Sequence, residues 1–266
     1  MTALALIGFG EVGRTFAKGL LERGNVSVSA FDILFDQPHS NLRDMAGAAG
    51  VQVARSAADA SNNARVVVSA VTASSALSVA EQAAAYLKAG QLYLDVNSAS
   101  PETKRKAAKL VQSVGADYVE GAVMAAVGEP GLKVPILAGG PAAQSAAELL
   151  NGLGMNLTPF ADEHGLASAT KLSRSIVMKG LEAILLECSA AARHWGVEKQ
   201  VIASLQATYP GLNWAKLVEH CGERVATHGK RRSQEMSEAA DMLQEMGHDP
   251  ALCQAISKFQ ARNAKR

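Results

Sequence analysis

Near the start of the chain, the apolar run Ala3-Leu4-Ala5-Leu6-Ile7 enters Gly8-Phe9-Gly10-Glu11-Val12-Gly13, three glycines spaced G-x-G-x-x-G. Val12, Phe16 and Leu20 then recur at helical steps, so the glycines join a strand to a helix. Such a junction opens a βαβ unit. Its first glycine permits a tight turn, the second lets backbone approach a pyrophosphate, and the third lets helix and strand pack closely. The helix that follows offers free N–H groups and the positive end of its dipole to phosphate.

Short apolar runs and alanine-rich stretches alternate through the first half. Candidate strands are Leu4–Gly8, Val26–Phe31, Val66–Val71, Leu92–Val96, Tyr118–Glu120 and Val134–Ala138. Candidate helices are Val12–Arg23, Ser75–Lys88, Pro101–Val114 and Pro141–Leu150. Near-continuous apolar strands alternating with helices predict a parallel sheet covered on both faces. Pro101 and Pro141 suit first helical turns, where a missing N–H costs nothing. After about Pro159 the period changes: Leu166, Ala169, Leu172, Ile176, Gly180, Ile184, Cys188, Ala191 and Trp195 step by three or four. Further helices are expected over Lys199–Thr208, Trp214–Thr227, Arg231–Met246 and Ala251–Ala261, punctuated by Pro210-Gly211, Gly229 and Gly247-His248-Asp249-Pro250. The expected fold class is α/β. An N-terminal Rossmann-type doubly wound sheet occupies residues 1–159, and an all-helical substrate and dimerisation domain follows over 160–266.

Composition narrows the partners. Hydrophobic content of 48% with 19% charged residues describes a buried globular chain. A formal net charge of +1 gives no field to attract nucleic acid or an anionic membrane. Cys188, Cys221 and Cys253 have no Cys-x-x-Cys spacing, which speaks against a disulfide framework or zinc site and for a reducing compartment. The histidines lack metal-ligand spacing, so no metal is expected. No secretory leader is read at the start. The best membrane candidate, Ser175 to Ala192, is interrupted by Lys179, Glu182 and Glu187, short of the ~18 uncharged residues a span needs. The expectation is a cytoplasmic protein with a small-molecule substrate, binding neither nucleic acid nor membrane.

Asp32 ends the second strand, nineteen residues after Gly13. A carboxylate there accepts from the adenosine ribose hydroxyls and repels a 2′-phosphate; Ile33, Leu34 and Phe35 follow, with no arginine among them. NAD is therefore expected over NADP. Its binding residues are expected to be Gly8, Phe9, Gly10, Glu11, Val12, Gly13 and Asp32, with Val71, Thr72 and Asn97 at later strand ends.

Five segments, in order, carry a resemblance. They are Gly8–Gly13; Asp95-Val96-Asn97-Ser98 followed by Pro101; Glu120-Gly121-Ala122-Val123-Met124-Ala125-Ala126; Ile136-Leu137-Ala138-Gly139-Gly140; and Gly165-Leu166-Ala167-Ser168-Ala169-Thr170-Lys171. With them the chain resembles the β-hydroxyacid dehydrogenase family over nearly its whole length, closest to a short subgroup. The resemblance implies that residues 95–98 pass the nicotinamide, that the Glu120 segment is the substrate loop, and that Lys171 is the catalytic lysine. The chain departs from the family where its usual asparagine, four residues after the lysine, is Ser175. It departs again where Val123-Met124-Ala125-Ala126-Val127 replaces a proline-, serine- and glycine-containing loop.

Chemistry supports that lysine separately. Oxidising an alcohol removes hydride from carbon and a proton from oxygen, and a protein group must take the proton. Lysine serves when burial or a nearby positive charge lowers its pKa. Ser168, Lys171 and Ser175 lie at i, i+3 and i+7, one polar stripe, with Leu172 and Ile176 turned to the core. Ser98, Val123, Met124, Ala125, Ser175 and Lys230 are the expected substrate contacts. Lys230 belongs to a basic run, His228, Lys230, Arg231 and Arg232, that also reads as a solvated helix face. The family implies at least a homodimer, with Ala183–Ala192 and Met236–Met246 as candidate contacts. An imine reductase of the same fold and a catalytically silent dinucleotide-binding protein are the alternatives. Retention of Lys171 counts against the first, and the altered loop keeps the second open.

Overall fold

Leu4 and Leu6 face one side of strand β1 (Thr2–Ile7) while Ala5 and Ile7 face the other, and all four are buried. The same alternation holds in β4 (Val66–Ser69) and β5 (Leu92–Asp95), where Val66, Val68, Leu92 and Leu94 join one core cluster and Val67 and Tyr93 the other. A strand apolar on both faces requires cover on both, which is why these runs read as continuous rather than alternating. In this computed structural model, which describes residues 1–265, helices α1 (Glu11–Leu21) and α6 (Ala143–Gly152) supply one layer. Helices α3 (Ala57–Ser61), α4 (Ala76–Ala84) and α5 (Pro101–Gln112) supply the other.

The sheet has 8 strands in the order β3-β2-β1-β4-β5-β6-β7-β8, with β2 Val26–Phe31, β3 Gln52–Val53, β6 Asp117–Val123, β7 Ile136–Gly139 and β8 Leu157–Ala161. The order reverses between β1 and β4, the switch point outside which ligands bind in doubly wound sheets. All pairs are parallel except β6 with β7, a departure from the all-parallel expectation. The segment between β6 and β7 contains no α-helix to carry a crossover, and Met124 N–H donates to the Pro135 carbonyl to extend the antiparallel ladder. Two strands escaped the sequence reading: β3 has two residues, and β8 is an edge strand broken in pattern by Pro159. A further short helix, α2 (Leu42–Ala48), also lies in this half. Pro101 opens α5 as expected, with Ser100 accepting from Thr103 N–H as N-cap, whereas Pro141 lies before α6.

The chain divides into two compact units, Met1–Lys171 and Leu172 onward, the division falling within α7 (Leu166–His194). The second unit contains the rest of α7, then α8 (Glu198–Thr208), α9 (Trp214–Glu245) and α10 (Ala251–Asn263). Its interior is unusually ionic. The Lys179 ammonium lies 2.6 Å from Glu235, and the two Glu182 oxygens accept from Nε and Nη2 along one edge of the Arg232 guanidinium and, at 3.0 Å, from Gln260. Two of the charges that interrupt the apolar stripe in the sequence, Lys179 and Glu182, are thus buried in pairs, while Glu187 is exposed and pairs with Arg262 at 2.6 Å. Gly229 does not end a helix, and the two helices expected on either side of it are the single helix α9. A methyl group there would meet the Gln260 carbonyl and, at 2.8 Å, the Ala264 side chain. Gly229 is what lets α9 and α10 pack closely.

No helix among the described residues is long and apolar enough to cross a membrane. Cys221 and Cys253 are buried with thiol pKa values pushed up by that burial, and Cys188 is half-buried; all three are free.

Candidate functional site

The three glycines of the first turn do three different things. Gly8 has φ +96°, and a side chain there would collide with the Ala70 backbone at the end of β4. Gly13 packs its Cα face on the Gly8 carbonyl, leaving no room for a methyl group. Gly10 has nothing within 4 Å of where a Cβ would stand, and α1 begins after it without a side-chain cap. Open space over an uncapped helix N-terminus, at the switch point of the sheet, is what a dinucleotide pyrophosphate requires.

Asp32 does structural work as well. Its Oδ2 accepts from Phe9 N–H at 2.6 Å and its Oδ1 from Leu34 N–H at 2.8 Å, so the carboxylate ties the glycine turn to the end of β2. Each carboxylate oxygen can accept a second bond, which leaves capacity for ribose hydroxyls. The nearest following arginine, Arg43, is paired with Asp36 at 2.6 Å.

At the ends of β4 and β5 the backbone is locked by side chains. Asn97 Oδ1 accepts from Val71 N–H at 2.6 Å, and its Nδ2 donates to Ser69 Oγ at 3.0 Å. Thr72 follows, exchanging a bond with Ser75 at 2.9 Å at the start of the short turn into α4. Beneath Asn97 lies a buried polar cluster that spacing alone did not single out. Asp95 Oδ1 meets Lys104 Nζ at 2.8 Å and accepts from Asn97 N–H at 2.9 Å, while Asp95 Oδ2 accepts from the Tyr118 hydroxyl at 2.8 Å. Lys104 is only 1% exposed. Burial, then the Asp95 charge, pushes the Tyr118 pKa far up, so the phenol stays a neutral donor.

Lys171 Nζ donates to Ser98 Oγ in a short hydrogen bond, which puts the lysine one residue from Asn97. Its helix is anchored at the other end of that turn by Glu120. This carboxylate, 0% exposed, accepts from Gly165 N–H and Ala167 N–H at 2.7 Å each, from Ser168 N–H at 3.3 Å and from Ser168 Oγ at 3.4 Å. The sequence hint was negative: Gly165, just before α7, has no side chain able to cap it. Of the expected loop contacts, Val123 packs into the sheet core, Met124 is half-buried and Ala125 is exposed.

The sheet unit therefore brings together Gly8, Phe9, Gly10, Glu11, Val12, Gly13, Asp32, Val71, Thr72, Asn97, Ser98 and Lys171 along the C-terminal ends of β1, β2, β4 and β5. Ser175 and Lys230 belong to the helical unit. There Ser175 is buried and accepts from Lys179 Nζ at 2.9 Å. Lys230 is exposed on α9, and two residues on Arg232 turns inward to Glu182. Among the described residues no group of three or more histidine, cysteine, aspartate or glutamate side chains could hold a metal.

Comparison with known proteins follows the same division. Residues 3–160 match the family model described as the NAD binding domain of 6-phosphogluconate dehydrogenase. Residues 192–262 match a domain of unknown function, DUF1932. A conserved hypothetical protein from Sinorhizobium meliloti 1021 is 38% identical with TM-score 0.82, covering 98% of this chain and 88% of its own. A conserved protein of unknown function, whose structure reveals similarity with 3-hydroxyacid dehydrogenases, is 32% identical with TM-score 0.78 and covers 98% of this chain and 96% of its own. The 3-hydroxyisobutyrate dehydrogenase of Pseudomonas aeruginosa is 28% identical over 222 residues, 81% of this chain and 72% of the relative.

Proposed function

Because the chain belongs to the family described as the NAD binding domain of 6-phosphogluconate dehydrogenase, within the β-hydroxyacid dehydrogenase fold, we propose that it is an NAD-preferring dehydrogenase of small hydroxy acids or related alcohols. The observation that carries this reading is the Lys171–Ser98 hydrogen bond beside the locked Asn97. When bound, the nicotinamide supplies hydride acceptance and donation. The amides of Gly10–Gly13 at the α1 N-terminus would hold the pyrophosphate, and Asp32 would accept from the ribose and repel a 2′-phosphate. Val71, Thr72 and Asn97 flank the nicotinamide end. Lys171 takes the hydroxyl proton during oxidation and returns it during reduction, acting as general acid/base. Ser98 orients the substrate oxygen against it, with Met124 and Ala125 as further candidate contacts.

The hydroxy-acid reading is favoured by the 3-hydroxyisobutyrate dehydrogenase among the relatives. The imine-reductase reading is disfavoured because the lysine is kept. Free cysteines fit a reducing cytoplasm. The working protein is a homodimer or larger. In the two candidate contact segments, Ala183, Leu185, Met236 and Ala239 are already buried within the chain. A part-exposed stripe, overlapping the first of these segments, runs along α7 through Val177, Leu181, Ile184, Cys188, Ala191 and Trp195, where Val177 is 68% and Trp195 76% exposed while Leu181 and Cys188 are half-buried. Its alternating steps of four and three are those of a packing seam between helices. Light scattering at micromolar concentration is expected to give at least twice the 27.7 kDa chain mass; a monomer contradicts the stripe's assignment.

The test of the activity is a panel of hydroxy acids and the corresponding semialdehydes with NAD and NADP, followed at the nicotinamide absorbance. Turnover with a hydroxy acid and NAD is expected. Cofactor binding without turnover of any substrate leaves a silent dinucleotide-binding protein.

A further inference from the structure

We infer that Glu120 is a positioning residue for Lys171: it carries no proton in the reaction but clamps the first turn of α7 so that the lysine stands at Ser98. The inference rests on the reading of Lys171 as the acid/base.

Three observations lead to it. Glu120 lies on β6 in register with Asp95 of β5, so both carboxylates project from neighbouring rungs of the same sheet. Asp95 is consumed by Lys104, Tyr118 and the Asn97 amide, and thereby fixes the turn that carries Ser98. Glu120 is consumed by Gly165, Ala167 and Ser168, and thereby fixes the start of the helix that carries Lys171. The two halves of the Lys171–Ser98 bond are thus each held by one buried carboxylate on adjacent strands.

The physical case is specific to a carboxylate. The N-terminal turn of α7 presents several backbone donors and the positive end of a dipole, with glycine at the position where a side chain would cap. Glu120 supplies acceptors on both oxygens, and charge-assisted bonds of this kind are short and directional. Gly139, opposite Glu120 across the antiparallel β6–β7 pair, has its Cα within contact range of the carboxylate: a Cβ there would stand 2.7 Å from Oε1. Gly165 has φ +97°, which bends the chain so that its own N–H reaches the same carboxylate. The loop that resemblance marks as a substrate contact therefore begins with a residue committed to the helix carrying the lysine.

The test compares Glu120→Gln and Glu120→Asp with wild type, alone and in a Lys171→Ala background. Glutamine keeps one acceptor but turns an NH2 group toward backbone donors; aspartate keeps the charge but withdraws it by one methylene. Each is expected to lower kcat about tenfold to a hundredfold, as a misplaced catalytic group does, while the Kd for NAD stays within about threefold. In the Lys171→Ala background the same substitutions are expected to change the residual rate less than twofold, because there is no lysine left to misplace. A fall in thermal stability with unchanged kcat overturns the inference, and so does full additivity of the two losses. If Glu120→Gln fails to fold, Glu120→Asp is read by the same criteria, and Ser168→Ala, which removes the hydroxyl's 3.4 Å bond to Glu120 together with its 3.1 Å bond to the Gly165 carbonyl, is expected to lower kcat a few-fold; wild-type kcat in both overturns the clamp. Near-normal turnover by Lys171→Ala alone is a different result: it removes the acid/base reading itself.

Discussion

Lys171 and Lys179 sit two turns apart on α7, and their ammonium groups meet different chemistry. Lys171, in the sheet unit, donates to the Ser98 hydroxyl at the edge where strand ends gather. Lys179, in the helical unit, is buried against the Glu235 carboxylate and the Ser175 hydroxyl. Burial lowers the Lys179 pKa, while Glu235 opposes that shift. Lys179 with Glu235, and Glu182 with Arg232, are ion pairs that hold helices in place; removing one member strands the other in a poor solvent. A lysine that works as a base must instead be placed where a substrate oxygen can reach it. On the proposed reading, the same residue type on the same helix serves shape in one unit and chemistry in the other, and what separates the two roles is the partner.

The contrast is sharpest if damage to the ionic interior costs stability without touching the reaction. Glu182→Ala leaves Arg232 buried without its main acceptor and is expected to lower unfolding stability by about 3–5 kcal/mol in urea titration, with kcat of the folded protein within about threefold of wild type. A large loss of kcat at a temperature where the variant is fully folded would erase the distinction. Gly229→Ala forces α9 away from the Gln260 carbonyl and is expected to cost about 1–3 kcal/mol by the same measurement, again with turnover preserved.

The sheet unit is expected to respond in the opposite sense. Asp32→Ser should move the NADP-to-NAD ratio of kcat/KM by about tenfold toward NADP, equivalent to about 1.4 kcal/mol. NAD use should also weaken, since Phe9 N–H loses its acceptor. Thermal unfolding is expected to show a modest loss of stability, because the carboxylate also ties the glycine turn to β2. A wild type that uses NADP at least as well as NAD would refute the role given to this carboxylate.

The smallest expected effect is a slope. A lysine whose folded-state pKa is depressed binds fewer protons folded than unfolded between that value and 10.5, so its contribution to stability rises with pH through that window. Lys179→Met should therefore flatten the alkaline limb of the stability profile relative to wild type. An unchanged limb would mean that Glu235 holds the ammonium fully against burial.

The glycine turn and the strand ends were legible in the sequence because their constraints are local. Gly8 and Gly13 answer to atoms within one turn or one neighbouring strand, Gly10 leaves open space, and continuous apolar runs mark β1, β4 and β5. Glu120 was not legible as a helix clamp, because its partners lie 45 to 48 residues away. Asp95 and Lys104 hid for a related reason, since a buried pair between a strand end and the first turns of the next helix looks like two solvated charges. Gly229 was misread as punctuation because a glycine that breaks a helix and one that admits a neighbouring helix leave the same letter. The domain boundary blurs because α7 runs through it without a capping residue or a change of period.

Lys171 remains the point on which everything else hangs. Single-turnover hydride transfer, measured with a verified substrate in wild type, Lys171→Ala and Lys171→Arg alongside the Kd for NAD, tests it directly. The account predicts a rate about two to four powers of ten lower for alanine, the range usual for a positioned acid or base, with NAD affinity within a few-fold. Arginine should be almost as damaging, because a guanidinium does not release its proton at working pH. A Lys171→Ala rate close to wild type would contradict the account, because the proton would then leave by another group.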